Sequence, residues 1–264
     1  LGVKVWRRPL EAAELDSLVE ISGNASEVLS DFHDGLEYGI ATLLQSPHFL
    51  YRVELGEDDG EGARRYTDYE MASRLSYFLW DTTPDAELLE AAERGELTVD
   101  NSLRLQLDRM LADPRARQGL RAFFTDMLDL HELDELNKDP LIFTYMSDDL
   151  GDSAKEETLV GLEQLIFDDN ADFREFFTTQ DVWVNRRLAS IYNIPAPAMD
   201  GFAWTTLPDE ERRRGFLGQV SFLALQAHAV STSVTLRGKF VRQNLLCQNI
   251  PDPPADVDTS IPEV

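Results

Sequence analysis

At 264 residues, 43% of them apolar and 9% aromatic, the chain carries enough apolar material for one large hydrophobic core or two modest ones, which excludes a disordered polypeptide. The balance of 24 basic against 49 acidic residues gives a net charge of −25, a field that repels phosphate backbones and anionic membranes and so excludes nucleic-acid binding. Cationic partners or saline surroundings suit the same charge. The lone cysteine, Cys247, excludes an internal disulfide, a thioether-linked haem on this chain and any zinc site with two thiolates. Its apolar neighbours Leu245 and Leu246 predict a buried structural thiol. No apolar run approaches the roughly 18–20 residues of a membrane-spanning helix. No tripartite leader pattern opens the chain, and a start at Leu1 is expected of a processed or excised piece.

In chain order, Pro9-Leu10-Glu11 leads into a first helix, and Ser26–Leu44 reads as a second, halted by Ser46-Pro47. Gly56–Gly62 reads as a solvated acidic loop and an internal boundary. Thr67-Asp68-Tyr69-Glu70 is a capping box, and Met71, Leu75, Phe78 and Leu79 then share one helical face. Pro84 opens a helix through Leu88, Leu89 and Ala92 that should stop near Gly95. Asp100 is the expected N-cap of a helix with Leu103, Leu107, Met110 and Leu111 on one side. Asp113-Pro114 starts the next, with Leu120, Phe123, Phe124, Met127 and Leu128 apolar. A long helix is predicted from Ser147 to about Phe167, with Leu150, Ala154, Leu159, Leu162 and Ile166 inward and Lys155-Glu156-Glu157 facing water. Two more are expected at Phe216–Ala227 and Val234–Cys247. Strand patterns are scarce, Trp204-Thr205-Thr206-Leu207 being the best candidate. The fold expected is all-α, a bundle of about ten helices with a Pro-rich C-terminal extension. Its expected divisions are a short N-terminal helical domain over 1–55, the loop 56–62, a central domain over 63–210, a module over 211–250 and a linker over 251–264.

No catalytic constellation emerges. Asp168, Asn170 and Asp172 alternate like the first ligands of a calcium loop, but Phe173 occupies the position that needs glycine and Thr179 the one that needs glutamate. His33 and Glu37 stand four apart, yet two ligands do not make a metal site, and neither His131, His48 nor His228 adds a pattern. No nucleophile elbow, phosphate loop or dinucleotide fingerprint is present. The most distinctive stretch is Ser231–Lys239, where Arg237 and Lys239 flank Gly238 in a helical pattern. A glycine there, about 1 kcal/mol worse than alanine, suggests close approach of another segment. Arg237 and Lys239 are candidates to hold an anionic group, or Arg237 to pin its helix through an internal carboxylate. His48 and Arg74 are further structural or anion-contact candidates.

Several motifs also resemble a known family. Arg7-Arg8-Pro9-Leu10 with Leu44–Glu54, including Ser46-Pro47-His48-Phe49-Leu50-Tyr51-Arg52, looks like the short helical domain of the secreted, cytochrome c-associated family of planctomycetes and myxobacteria. Tyr69–Trp80, Met110–Ala116 and Val184–Ala189 resemble its next domain, and Arg214–Gln219 through Arg237-Gly238-Lys239-Phe240-Val241 a third. Ser233-Val234 departs from the family's usual Ser-Pro, which favours a more continuous helix there. The resemblance implies export to the periplasm, cell surface or medium, with flanking domains or protein partners, and haem in a neighbouring domain or partner but none bound covalently here. It implies no established activity. The leading expectation is a non-catalytic helical scaffold or interaction module of a secreted cytochrome-type assembly. The rivals are part of an extracellular oxidoreductase acting on a polymer, completed by missing domains or a partner, and an adhesion module.

Overall fold

A computed structural model describes residues 1–209 and 212–251. The chain is 59% helical, and its strands form only two short antiparallel pairs among the described residues, so the fold is all-α. The expected Pro-rich exit lies, beyond Pro251, outside the described residues. The chain divides into two compact units, residues 1–120 and 121–264.

The first unit opens with α1 (Gly2–Trp6), α2 (Ala12–Leu29), α3 (Phe32–Gln45) and α4 (Pro47–Leu50). α2 outruns the expectation of a helix starting at Ser26, because Asp31 rather than Ser26 caps α3. Its carboxylate accepts from the His33 amide at 2.7 Å, and Ser30 turns the chain in a left-handed conformation. α2 and α3 pack through small residues: a Cβ on Gly35 would sit 2.6 Å from the Ser22 carbonyl, and one on Gly39 would strike the Ser22 hydroxyl. Ser46 and Pro47 halt α3, as the sequence predicts, and they also open α4, with Ser46 as its cap. The Gly56–Gly62 segment is not wholly a loop, since β1 (Glu57–Asp58) pairs with β2 (Arg64–Arg65), each acid facing an arginine.

α5 (Asp68–Trp80) carries the predicted capping box, with Glu70 accepting from the Thr67 amide at 2.8 Å. Its inward stripe is Ala72, Ser76 and Trp80, and Phe78, expected inside, is 74% exposed. Asp85 caps α6 (Ala86–Glu93), which stops before Gly95 at φ 69°, and α7 (Asp100–Ala112) follows. Trp80 is the centre of this unit: its indole N–H donates to the Met110 carbonyl at 2.9 Å, and the Arg115 guanidinium lies 3.5 Å over its ring. Asp85 in turn pairs with Arg109 at 2.8 Å and Arg115 at 3.0 Å.

The division between units falls inside α8 (Arg115–Met127). The second unit is built around α9 (Leu150–Glu163), which starts three residues later than expected and buries eight of its 14 residues. Glu157, expected in water, is fully buried. A π-helical turn, Gln164–Asp168, continues α9. β3 (Asp181–Val184) pairs with β4 (Ala203–Thr206), placing Trp183 opposite Trp204, and α10 (Arg186–Ile191) lies between them in sequence. The helix expected over Phe216–Ala227 is broken at Gln219, which is extended between a 3-10 turn at Phe216–Gly218 and α11 (Val220–Leu225). α12 (Val234–Phe240) likewise gives way to a π turn over Val241–Leu245. Cys247 is exposed with φ 50°, which corrects the expectation of a buried thiol: the helix has ended before it.

Two glycines of α9 separate packing from propensity. A Cβ on Gly151 would collide with the Leu133 carbonyl, whereas one on Gly161 meets nothing within 4 Å. Alanine gains about 1 kcal/mol of helix propensity at either position, and overpacking costs about 1–3 kcal/mol where backbone must move. Gly161→Ala should therefore raise the melting temperature by roughly 2–4 °C, and Gly151→Ala should lower it. Thermal denaturation of the two variants side by side checks this, and equal shifts would contradict the packing described.

Candidate functional site

The four residues singled out by sequence fall into different units. In the first, the His48 ring lies 5.2 Å from that of Trp6, and its Nε2 is 3.1 Å from the Arg8 guanidinium. Arg8 grips Glu14 with both nitrogens, at 2.9 and 2.7 Å, and this pairing holds the Glu14 carboxyl down to about 2. Arg74 donates to Glu54 at 2.6 Å and to the Tyr66 hydroxyl at 2.9 Å. His48 and Glu54 line a cavity of about 220 Å³ together with Trp6, Arg7, Arg8 and Arg52. The structure thus brings His48 and, through Glu54, Arg74 to one place.

The cations there are already answered. Buried Arg7, left-handed at φ 60°, donates to the carbonyls of Val5, His48 and Tyr51 at 3.3, 2.6 and 2.9 Å, joining the end of α1 to the end of α4. Arg52 lies 4.8 Å over the Tyr77 ring. This is a fastening of guanidinium groups to carbonyls, carboxylates and rings.

In the second unit Arg237 is half-buried and its Nε donates to the Ser233 carbonyl at 3.2 Å, one turn back on its own helix. The carboxylate partner expected for Arg237 is not found among the described residues, and Lys239 is exposed with no ion pair among them. Gly238 does not mark a close approach, because nothing lies within 4 Å of where its Cβ would be. Among the described residues no three His, Cys, Asp or Glu side chains gather as a metal ion would need.

The most unusual chemistry lies where the sequence drew no attention. The Tyr192 hydroxyl bonds both Glu157 oxygens at 2.8 Å and accepts from the Val220 amide at 2.9 Å, joining α9, α10 and α11. Arg213 lies 5.2 Å over the Tyr192 ring. Burial pushes the Glu157 carboxyl up to about 8, against the opposing pull of the Tyr192 hydroxyl and the Arg213 charge. Burial, with the Glu157 charge adding to it, raises the Tyr192 hydroxyl well above the usual tyrosine value. Next to this pair, Thr158 bonds the Gln219 side-chain oxygen at 2.8 Å and the Ser221 hydroxyl at 2.7 Å. One signal did exist for Glu157: it stands seven residues after Leu150 and three after Ala154, on the inward stripe of the helix.

Residues 1–54 match PSD5, a protein of unknown function (DUF1595), residues 66–194 match PSD4, a protein of unknown function (DUF1592), and residues 213–264 match PSCyt3, a protein of unknown function (DUF1588). The chain carries three domains of the cytochrome c-associated, planctomycete-type families. No curated protein and no solved structure matches it. Among the described residues no helix is long and apolar enough to cross a membrane. The buried Glu157–Tyr192 pair joins residues of the PSD4 domain, and its acceptor contact with the Val220 amide reaches the PSCyt3 domain.

Glu157 makes stability depend on pH. Its carboxyl titrates near 4.5 when free and near 8 when folded, so the folded state holds the proton more tightly. The resulting stabilisation is complete below about 4.5 and is lost as pH rises through about 8. Glu157→Gln, uncharged and of similar shape, should abolish that decline. Urea unfolding from pH 5 to pH 9 measures it, and parallel curves for parent and variant would contradict a buried, protonated Glu157.

Proposed function

We propose that this chain is a non-catalytic interaction module of a secreted, cytochrome-type assembly, and that the α2–α3 hairpin is its docking face. One observation carries the reading: none of the 18 residues of α2 is buried. Val19 is 63% and Phe32 71% exposed, and they line, with Leu15, Leu18 and Leu36, an apolar groove of about 480 Å³. A contiguous apolar face of this kind on a protein surface marks an interaction site. Its helices are held together by Ser22 against Gly35 and Gly39 rather than by interlocked large side chains, so the large apolar residues remain outward.

The partner proposed is a domain bearing c-type haem, in the same precursor or a separate chain, and the compartment is outside the cytoplasm. The family names support both. The net charge of −25 supports a cationic face on that partner. The fastened cations around His48 support a scaffold over a catalytic role, since the groups that sequence marked for chemistry are engaged in holding helices together.

Sedimentation of the purified chain with a c-type cytochrome from the same cell tests the proposal. Haem absorbance should travel with the chain at low salt and separate from it as salt rises. The double variant Val19→Glu, Leu36→Glu should lose the association by about tenfold or more while melting like the parent, because neither residue is buried. Failure of the parent to carry haem absorbance, or equal binding by the double variant, would sink the reading.

A further inference from the structure

A second cavity, of about 380 Å³, opens in the 121–264 unit beside the π turn that ends α9. At that turn the Asp169 amide bonds the Gln164 carbonyl five residues back, at 2.8 Å, and Gln164 and Leu165 line the cavity. Such π turns are rare and recur at functional sites. Three carboxylates, Asp169, Glu175 and Asp181, line it too; Asp169 accepts from the Gln164 side-chain nitrogen at 2.8 Å and Asp181 from the Thr206 hydroxyl at 2.6 Å, each through one oxygen, and none forms an ion pair among the described residues. Trp204, 39% exposed on β4, is a further wall.

Gln219 is the most telling residue. It is 4% exposed, its side-chain oxygen is taken by Thr158 at 2.8 Å, and its side-chain nitrogen makes no hydrogen bond among the described residues, yet it lines the cavity. That nitrogen is not sealed away, since the Ser147 hydroxyl alone is buried without a partner among the described residues, so the amide nitrogen is free to donate into the cavity that Gln219 lines. Its position is imposed, because Gln219 is the extended residue that breaks the helix expected over Phe216–Ala227.

We propose that this cavity is a saccharide-binding site that holds one sugar ring. The chemistry selects that class. Carboxylates only accept hydrogen bonds, and the free end of Gln219 only donates. A ligand for both needs groups that donate and accept at neighbouring positions around a compact ring, which sugar hydroxyls do. An alkylammonium ion would satisfy the carboxylates but offers no acceptor to Gln219. The Trp204 indole offers an apolar surface to the C–H face of the ring. At ~30 Å³ per water, the space amounts to about a dozen waters, room for one ring with its hydroxyls. The cavity belongs to the 121–264 unit, and the proposal does not depend on the docking role proposed for the α2–α3 hairpin.

Gly161 on the cavity wall provides the test, since a side chain added there meets nothing within 4 Å of its Cβ and fills the space. Glucose, galactose, xylose, N-acetylglucosamine and their β-linked disaccharides, with spermidine as the cationic control, are titrated into the full chain by calorimetry and ligand-observed NMR. At least one sugar should bind and quench tryptophan fluorescence. Gly161→Leu should abolish that binding with an unchanged circular dichroism spectrum, and Trp204→Ala should weaken it by roughly tenfold. No binding by any sugar would overturn the proposal. So would sugar binding that survives both substitutions, or binding of spermidine alone.

Discussion

The Glu157 carboxyl is the constraint around which the second unit is arranged. A carboxyl at full burial needs hydrogen-bond partners, and that burial keeps its proton on against the opposing pull of the Tyr192 hydroxyl and the Arg213 charge. Tyr192 answers it from the end of α10, and the same hydroxyl accepts from the first residue of α11. Three elements therefore meet at one polar point inside an apolar core. Exchanging any one of them would leave a buried donor or acceptor unanswered. Thr158, one residue on, repeats the arrangement with Gln219 and Ser221, so the chain must break from helix at Gln219 to supply both a side-chain oxygen and a helix start.

The first unit solves a different problem. In a chain so rich in acid, its cations are used as fastenings. Arg115 lies on the face of Trp80 while bonding Asp85 and Asp113, and Arg109 joins the same Asp85. Planar guanidinium groups suit this use because one group can stack on an indole and bond two acids in its plane. Arg7, gripping three carbonyls, does for α1 and α4 what Arg115 does for α5 and α6. The motifs Arg7-Arg8 and His48 to Glu54 meet because these contacts require it.

Engaged cations and an exposed apolar hairpin are the two features on which the proposed interaction role rests. The fastened parts hold shape, and the α2–α3 pair, joined by small residues, leaves its large apolar side chains outward. The acid-rich cavity beside the π turn contrasts with both: its carboxylates lack cationic partners among the described residues, and the Gln219 side chain lines it with its oxygen held by Thr158 and its nitrogen free to donate.

Local signals were legible wherever the deciding interaction lies within one turn of chain. The Thr67–Glu70 capping box, the halt at Ser46-Pro47 and the stop before Gly95 are all set by neighbours a few residues away. Helical periodicity and capping signals pointed to the all-α class, and composition alone determined the strongly acidic charge and the single thiol. What sequence could not supply were the long-range contacts. Phe78 points outward because Trp80 claims the interior, and Ser26, expected to start a helix, lies inside α2, which packs through Ser22 against Gly35 and Gly39 of α3. Arg237 reads as a buried anchor, yet its side chain folds back onto Ser233. Glu157 reads as one more surface acid in an acidic run, and only the fold brings Tyr192, 35 residues away, to its oxygens. Short-range hydrogen bonding is written in the order of residues, whereas the burial of a charge depends on which distant elements close over it.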